Sequence, residues 1–447
     1  MATDQGSTLP FRTYPPGADR PVRVHRCRSG CVSGRGRAVS VLSGIRVIEI
    51  AHERIAFAGK LLGELGADVI LIEPPEGTRA RHYPPFVDDI PGIETSLYFW
   101  HYNAGKRGIT LDLDTSNGVT ELHTLLRTAD VLIESEASER VASLRLDANT
   151  TARTNPRLIH VAVTPFGRSE PLSDLPEVDL TLMAAGGPVW SCGYDDHSLP
   201  PSRGWGFQGY QTGCHFAVMS VLTALLYRGN QPSGGGQFID VSITAALNVT
   251  TEGASYNWLV EGSTLQRQTG RHASLRPTGE TQMQCADGRW ANTGVPPRFP
   301  VEFARLLDWL RTLGLEDQFP EAVFLEMGAH WEGPFDLSRI GVDDTITAVF
   351  AAGREALQLI ARTVPAQAFF EGCQNAGLAV GVINSPEEAF EDPHFKARGM
   401  QVPLYRPDLD RTVIHPGPPF SLPLSPSRLQ RPAPRLGEHN QEIVGGS

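Results

Sequence analysis

Lysine is nearly absent from this sequence, whose 447 residues include only Lys60, Lys106 and Lys396. Arginine therefore carries almost all of the fixed positive charge, and a site for an anion must use arginine side chains or backbone N–H groups. The formal net charge is −11 at pH 7. This negative total argues against nucleic acid as the main partner.

Long apolar runs are also missing. The longest, residues 214–227, is too short to cross a bilayer, and residues 1–40 lack the apolar segment of a secretory signal. The six cysteines are scattered, at a density typical of a reducing compartment. Cys27 and Cys31 form one C-x3-C pair without the second pair or the histidines that a zinc site needs. The sequence therefore predicts a cytoplasmic protein with no metal site and no membrane contact.

Several catalytic motifs are absent as well. The chain contains no G-x-x-x-x-G-K-[ST] phosphate loop, no H-E-x-x-H zinc motif and no G-x-S-x-G nucleophile elbow. No G-x-G-x-x-G follows the first predicted strand, so the dinucleotide fingerprint is missing too. These absences argue against P-loop nucleotide enzymes, zinc peptidases, serine hydrolases of the elbow type and dinucleotide-dependent oxidoreductases.

The charge is distributed unevenly along the chain. Residues 1–40 hold seven arginines and two aspartates, a net charge of +5, so the remaining residues carry −16. The same segment is rich in proline, glycine and serine and shows little apolar periodicity. This composition predicts a disordered basic extension at residues 1–40.

Short apolar strands alternate with helices from residue 44 onward. Strands are predicted at residues 44–50, 68–73, 108–112, 130–134 and 158–163, with helices at residues 56–65 and 117–128. This alternation predicts a mainly parallel sheet covered on both faces, an α/β fold of the Rossmann-like type. Farther along, a loop rich in glycine and aromatic residues precedes a helix that ends near residue 228 and a strand at residues 238–243.

The patterns become shorter and mixed from about residue 270. Helices are predicted at residues 301–313 and 344–363, and strands at residues 289–293 and 379–383. Because a single core rarely exceeds roughly 250–300 residues, we assign residues 41–250 to a large Rossmann-like domain and residues 270–400 to a smaller α+β domain. Residues 401–447 are rich in proline and mostly extended.

A series of segments resembles the family III CoA-transferases, the carnitine-dehydratase and bile-acid-inducible type. The most specific segment is LLGELGADVILIEPP at residues 61–75. The other matching segments, in family order, are residues 42–50, 103–113, 129–134, 155–159, 166–167, 178–179, 224–228, 235–242, 285–288, 392–399 and 434–439. The number and the order of these segments carry the resemblance.

The resemblance implies an architecture and a chemistry. The large domain is built from both chain ends, with residues 401–447 returning to it, and two chains interlock as a homodimer or as a heterodimer with a paralogue. The substrates are an acyl-CoA thioester and a carboxylic acid, with no tightly bound cofactor. In this family an aspartate attacks the thioester to form a mixed anhydride. CoA thiolate then returns to give an enzyme thioester, from which the acceptor acid takes CoA.

The family's nucleophilic aspartate is missing here. Counting back from residues 224–228 places it at Gly209, or at Tyr210 if the register slips by one, and no Asp or Glu occurs in residues 197–239. A hydroxyl or an amide cannot form the same anhydride. The racemase branch of the family is a weaker match, because its His–Asp pair for proton exchange falls at Val178 and Gly209.

Asp179 is the remaining catalytic candidate, since the resemblance matches it to an acidic position beside the thioester. In that role it orients or polarises the acyl group, or acts as a base. The competing interpretation is structural: Asp179 precedes the apolar residues 180–185, and aspartate is a favoured N-cap of a helix.

The resemblance also implies where CoA binds. Basic residues that meet the CoA phosphates in the family are absent at Pro74, Asp114 and Pro176. The candidate CoA-binding residues are Arg54, Lys106, Arg107, Leu111, Asp112, Leu113, Asp114, Ser135 and Val178. Nearby arginines that offer substitutes for the missing phosphate ligands are Arg79, Arg81 and Arg140.

Three functions stay open on the sequence. The chain is an active CoA-transferase with a rearranged nucleophile, a non-nucleophilic subunit that pairs with an active paralogue, or an acyl-CoA-binding protein with repurposed chemistry. The missing aspartate favours the second and third, and the retained surroundings of Lys106 and Asp179 favour continued binding of a CoA thioester.

Overall fold

The computed structural model describes residues 40–168, 175–294, 296–332, 335–336 and 339–445. The predicted basic extension, with Cys27 and Cys31, lies outside the described residues apart from Ser40. The described residues belong to one compact unit that spans residues 39–447.

A parallel sheet of six strands forms the centre of the fold, in the order β3-β2-β1-β4-β5-β6. This is the strand order of doubly wound nucleotide-binding folds, so the predicted Rossmann-like sheet is confirmed. The strands are β1 (Arg46–Ile50), β2 (Asp68–Glu73), β3 (Arg107–Thr110), β4 (Val131–Glu134), β5 (Ile159–Thr164) and β6 (Gln237–Ser242).

Helices cover both faces of this sheet. Alternate strand residues enter different apolar cores, because successive side chains of a strand point to opposite faces. Val47 packs in one core with the helices that begin at Ala56 and Gln208, whereas Ile48 packs in the other with the helix that begins at Ser116. The helices up to β6 are α1 (Ala56–Glu64), α2 (Leu97–Asn103), α3 (Ser116–Leu126), α4 (Ser138–Leu144), α5 (Ala148–Thr154), α6 (Asp179–Gly186) and α7 (Gln208–Asn230).

Helix α7 begins earlier than the sequence predicts. Its first turn contains Gly209, and Gly213 follows one turn later, within the segment that the sequence analysis treated as a loop. Gly213 serves close packing instead of a turn, since a Cβ there would lie 2.8 Å from Cγ1 of Ile243. A glycine that permits close approach therefore resembles, in sequence, a glycine that ends a helix.

A second apolar core lies among residues 283–378. A three-stranded antiparallel sheet of order β11-β10-β9 packs there with four helices. Its elements are β9 (Gln282–Gln284), β10 (Trp290–Thr293), β11 (Val380–Val382), α10 (Pro300–Thr312), α11 (Ala322–Ala329), α12 (Asp344–Thr363) and α13 (Ala366–Ala376). The two strands and two helices that the sequence predicts here are present within a residue or two of their expected bounds.

The remaining elements connect these two regions and follow them. They are α8 (Ile243–Val249), α9 (Gly253–Glu261), the hairpin of β7 (Gln266–Gln268) and β8 (Arg271–Ser274), α14 (Pro386–Glu391), α15 (Pro393–Ala397), the hairpin of β12 (Gln401–Arg406) and β13 (Arg411–Pro416), and α16 (Asn440–Ile443). Within the described ranges, no helix is both long and apolar enough to cross a membrane.

The C-terminal residues lie alongside β3. The backbone N–H of Gly108 donates to Nδ1 of His439 over 3.2 Å, and the N–H of His439 donates back to the Gly108 carbonyl over 2.9 Å. Two residues on, the N–H of Thr110 donates to Oδ1 of Asn440 over 2.8 Å. The end of the chain is thus hydrogen-bonded to the backbone of the sheet.

Candidate functional site

A cleft opens beyond the carboxyl ends of β1 and β2. In a doubly wound sheet ligands bind at this edge, and the strand order of this sheet reverses nearby, between β1 and β4. The cavity has a volume of about 450 Å³. Its lining includes the residues that follow β1 and β2, the helix α2 and the start of α6 and α7, among them Glu49, His52, Glu53, Arg54, Pro74, Arg79, Tyr83, Tyr98, Glu177, Val178 and Tyr210.

Arg54 connects three sides of this cleft. Its Nε donates to Oε1 of Glu177 over 2.6 Å, and its Nη1 donates to the carbonyl and the hydroxyl oxygen of Ser135, both over 3.3 Å. Ser135 in turn donates to the carbonyl of Val163 over 2.6 Å. The structure therefore brings Arg54 and Ser135 into direct contact, with the exposed Val178 beside Glu177 on the same wall.

His52 follows β1 on the cleft wall. Burial, together with the nearby charges of Arg54 and Arg79, lowers its pKa to about 3. The imidazole is therefore neutral at physiological pH, and its Nδ1 accepts a hydrogen bond from the backbone N–H of Arg54 over 3.2 Å. Near neutral pH the positive charge on this side of the cleft comes from the two arginines.

Lys106 lies beneath the cleft and not on its surface. Its ammonium is fully buried and donates to Oε1 of Glu49 over 2.7 Å, to Oδ1 of Asn103 over 2.8 Å and to the carbonyl of Ala56 over 2.9 Å. Burial is the largest cause that lowers the pKa of Lys106 and raises the pKa of Glu49. With three protein acceptors and no solvent exposure, this ammonium is a structural cation, and we do not retain it as a phosphate ligand.

Arg107 lies at the other end of the strands. It is the first residue of β3, and its guanidinium pairs with Asp68 at the start of β2, with 2.5 Å between Nη2 and Oδ2. A second pair joins Nη1 of Arg107 to Oε1 of Glu442 over 2.7 Å. Because the strands are parallel, this position is at the amino ends of β2 and β3, away from the cleft, and we do not retain Arg107 in the site either.

The segment from Leu111 to Asp114 follows β3 at the expected edge. Leu111 is buried, whereas the carboxylates of Asp112 and Asp114 are exposed, with Leu113 between them. Nη1 of Arg140 lies 2.5 Å from Oδ1 of Asp114. A second depression of about 700 Å³ adjoins this pair, and the arginines that line it are Arg127, Arg140, Arg145 and Arg153.

Two arginines near Pro74 have different roles. Arg81 is fully buried, and its Nε and Nη2 each donate over 2.8 Å to the carboxylate oxygens of Glu73. Arg79, two residues earlier, is exposed and lines the cleft. Of the candidate arginines in this loop, Arg79 is the one whose guanidinium is open to a ligand.

Asp179 is buried next to the N-terminus of α7. It is the first helical residue of α6, whose N-cap is Val178, so the interpretation of Asp179 as the cap of its own helix is wrong. Its Oδ1 instead accepts the backbone N–H of Tyr210 over 3.0 Å, in the first turn of α7. The residue is 2% exposed.

The second carboxylate oxygen of Asp179 is less well satisfied. Nη1 of Arg203 lies 3.2 Å from Oδ2, close enough for an ion pair, but the two groups are not aligned as a hydrogen bond. An under-satisfied buried oxygen is costly unless another group completes its contacts. Sequence reasoning missed Arg203, since it lies in an irregular segment and no motif connects it to Asp179.

Gly209 lies directly against this carboxylate. A Cβ at Gly209 would be 2.9 Å from Oδ1 of Asp179. The carboxylate of Asp179 thus reaches the space in which a side chain at the predicted nucleophile position would begin. Tyr210, the alternative register, directs its hydroxyl to Oε2 of Glu177 over 3.3 Å, and burial raises the pKa of this phenol.

Among the described residues, no group of three His, Cys, Asp or Glu side chains is arranged to hold a metal ion. The charged side chains at the cleft are its carboxylates and its arginines, and the N-terminus of α7 adjoins them.

Comparison with solved structures identifies the same fold. A CaiB/BaiF family protein from Brucella suis superposes with a TM-score of 0.72 at 23% identity, covering 91% of this chain and 99% of that protein. A protein from Mycobacterium tuberculosis gives a TM-score of 0.69 at 20% identity over 91% of this chain and 100% of that chain.

Characterised proteins match along nearly the whole length. The chain is 30% identical over 404 residues to a subunit of succinyl-CoA:(R)-benzylsuccinate CoA-transferase from Thauera aromatica, covering 90% of this chain and 93% of that protein. It is 32% identical over 414 residues to succinate–glutarate CoA-transferase from Agrobacterium fabrum, covering 90% of this chain and 94% of that protein. The sequence model of CoA-transferase family III matches residues 42–440. The chain therefore belongs to CoA-transferase family III and is an enzyme of that class.

Proposed function

We propose that this chain moves CoA from an acyl-CoA thioester to a carboxylic acid, with Asp179 as the carboxylate that carries the acyl and CoA groups in turn. The observation that carries the proposal is the contact between Asp179 and Gly209. A Cβ at Gly209 would lie 2.9 Å from Oδ1 of Asp179, so a carboxylate is present beside the position from which the expected nucleophile is missing.

The surroundings of Asp179 suit such a role. The N–H of Tyr210 holds one oxygen, and the positive end of the 23-residue helix α7 stabilises negative charge nearby. The other oxygen lacks a hydrogen bond. Glu177, Val178 and Tyr210, which adjoin Asp179 in sequence or in space, line the cleft. A thioester bound in the cleft would therefore contact residues that adjoin Asp179.

The reaction balances without a cofactor. An oxygen of Asp179 bonds to the thioester carbonyl carbon, and the C–S bond breaks. CoA departs as the thiolate, and a mixed anhydride remains on the enzyme. The thiolate then attacks the carbonyl carbon of Asp179, which releases the first acid and forms an enzyme–CoA thioester. The acceptor carboxylate attacks that carbon and displaces thiolate, and the thiolate attacks the acceptor's acyl carbon, which frees Asp179.

We also propose that CoA binds in the cleft. Arg79 is exposed on the cleft, and Arg140 lies beside the second depression, so both offer guanidinium groups to phosphates. Arg54 and Ser135 shape the wall between β1 and β4, while the backbone from Leu111 to Asp114 faces the neighbouring edge. We further propose that two chains interlock as a dimer and that the enzyme acts in the cytoplasm.

Turnover by the purified chain tests the proposal. The chain is incubated with succinyl-CoA, the donor in the names of several relatives, and a panel of acids, and new acyl-CoA species are measured by mass spectrometry. We expect Asp179→Asn to lower turnover by about 1,000-fold or more. Hydroxylamine should convert the enzyme thioester to a hydroxamate on the peptide that contains Asp179.

Asp343→Asn is the matched control. Asp343 also accepts a backbone N–H in a helix first turn, from Ile346 over 3.0 Å, but it caps α12 away from the cleft. Both variants keep an oxygen that can accept the backbone N–H and lose one negative charge at a helix N-terminus, so only the Asp179 variant should lose turnover beyond its loss of stability. Full turnover by Asp179→Asn would overturn Asp179 as the nucleophile.

A second function is favoured by Gly209 itself. If the chain is a non-nucleophilic subunit, a paralogue supplies the aspartate, and two relatives carry subunit designations, one from Thauera aromatica and one from Chloroflexus aurantiacus. In that case the lone chain binds acyl-CoA in calorimetry but does not turn it over, and co-purified paralogue restores activity. Light scattering of each preparation reports whether one chain or two are present.

A further inference from the structure

A second cavity, of about 590 Å³, opens next to the cleft. We call it the aromatic pocket, and its rings are Tyr83, Tyr98, Tyr102, Trp205 and Phe207. The turn of Pro84 and Pro85 and the side chain of Leu97 complete its apolar walls. Small-molecule sites are concave, apolar and lined by aromatic side chains with few polar groups, which describes this pocket.

The rings are held by one another before any ligand binds. The ring centroid of Tyr98 lies 5.2 Å from that of Tyr83, 4.8 Å from that of Tyr102 and 5.5 Å from that of Phe207. Two of these contacts are edge-to-face, the arrangement that aromatic quadrupoles favour. A preformed set of rings loses little conformational entropy when it receives a ligand.

The polar ends of two tyrosines already have protein partners. The hydroxyl of Tyr83 is hydrogen-bonded to the carboxylate of Glu53, and the hydroxyl of Tyr102 accepts the side-chain amide of Gln211 over 2.8 Å. Burial and the Glu53 carboxylate raise the pKa of Tyr83 to about 12, so this hydroxyl stays protonated. Because these hydroxyls are occupied, the apolar surfaces of the rings are the part that remains available to a ligand.

Trp205 is 99% exposed in the free chain, although its indole borders the aromatic pocket. It follows Gly204 and precedes Gly206, whose φ of +96° is a conformation that glycine adopts easily. A large aromatic side chain left in water beside an apolar cavity gains free energy when a ligand covers it.

The aromatic pocket adjoins the cleft. Tyr83 and Tyr98 line both cavities. Arg203 also lines the aromatic pocket, and its Nη1 lies 3.2 Å from Oδ2 of Asp179. An acid whose carboxylate faces Arg203 and Asp179 would therefore direct its side chain onto the rings.

We infer that one of the two acids exchanged by this enzyme carries an aromatic ring, or an apolar group of similar size, and that the aromatic pocket binds it. This inference rests on the proposed function, because it gives the substrate class of the same reaction. Dicarboxylic chains and short aliphatic acids offer nothing to cover these rings.

Matched acids test the inference. Phenylacetate and acetate, and 3-phenylpropionate and propionate, are compared as CoA acceptors with the wild-type chain and with Trp205→Ala. We expect kcat/KM to favour each aryl acid at least tenfold in the wild type, and Trp205→Ala to reduce that preference at least fivefold. Trp258→Ala, an exposed tryptophan on α9 away from the aromatic pocket, is the control and should keep the preference.

Binding measured without turnover separates this inference from the proposed function. If the lone chain turns over no acid, calorimetry of phenylacetate with the wild type and with Trp205→Ala still tests the pocket, and loss of binding in the variant alone supports it. Equal use of aryl and short acids overturns the inference. So does a wild-type dimer that Trp205→Ala dissociates in light scattering, since a second chain would then cover the rings.

Discussion

Gly209 lies so close to the carboxylate of Asp179 that a side chain at residue 209 could be accommodated only if one of the two groups moved. A Cβ at that position would lie 2.9 Å from Oδ1 of Asp179 and 3.4 Å from Cδ1 of Leu247. The missing side chain at Gly209 therefore leaves room for the carboxylate of Asp179 in this chain.

Substitution of Gly209 by alanine should lower stability. The added methyl forces the Asp179 carboxylate away from the N–H of Tyr210, and overpacking of this kind costs about 1–2 kcal/mol. Gly229→Ala in the same helix is the control, because a Cβ there meets nothing within 4 Å, and it should raise stability by up to about 1 kcal/mol through helix propensity. Urea unfolding of both variants measures the difference, and equal stability of the two would contradict this view of Gly209.

Removal of the charge at Lys106 should destabilise the fold strongly. Lys106→Met leaves the carboxylate of Glu49 buried without its cation, which costs about 3–5 kcal/mol. The double variant Glu49→Leu with Lys106→Met removes both charges and should recover at least half of the loss. Unfolding midpoints in urea measure both variants. A Lys106→Met protein that keeps its midpoint but loses CoA affinity would show instead that Lys106 is a ligand.

The buried His415 should make stability depend on pH. Burial lowers its pKa to about 4, and its Nε2 has no hydrogen-bond partner in the described structure. The unfolded chain takes up a proton near pH 6.5, whereas the folded chain does not until about pH 4. The contribution of His415 to the free energy of unfolding is therefore fully present above pH 6.5. It decreases as the pH falls from 6.5 to about 4, by up to about 1.4 kcal/mol per pH unit.

His415→Gln removes this titration. Thermal unfolding of the variant between pH 6.5 and pH 4 should decline less steeply than that of the wild type, while the difference between the two stays constant above pH 7.5. Parallel curves through the whole range would show that His415 is not the responsible group.

The cysteines should react with alkylating reagents at very different rates. Cys214 is buried, burial raises its pKa to about 12, and its thiol donates to the carbonyl of Arg54 over 3.0 Å. Cys192 is exposed. Iodoacetamide at pH 8 should label Cys192 more than about tenfold faster than Cys214, as followed by peptide mass mapping. Labelling in urea is the control, where the two rates should converge.

The parallel sheet was predictable because its strands are continuous apolar runs rich in β-branched residues. Residues 68–73 were predicted as a strand and form β2 with the same bounds. The start of α7 was not predictable, because Gly209 and Gly213 indicate a turn in sequence but permit close packing in space.

The site was predictable only in outline. Positions after β1 and β4 meet at one edge in every sheet of this type, which is why Arg54 and Ser135 are in contact. Lys106 and Arg107 are neighbours in sequence, yet one ammonium is buried beneath the cleft and the other cation pairs at the opposite end of the strands. Burial and pairing depend on residues far away in the chain, such as Glu49 and Glu442, which local patterns do not reveal.

The hydrogen bonds between the C-terminal residues and β3 have a consequence for self-association. β3 is an edge strand, whose outer N–H and C=O groups would otherwise be a template for pairing with another chain. His439 and Asn440 occupy these groups at Gly108 and Thr110. His439 and Asn440 thus protect this edge of the sheet, and a variant that lacks these two side chains would leave a strand edge that another chain could extend.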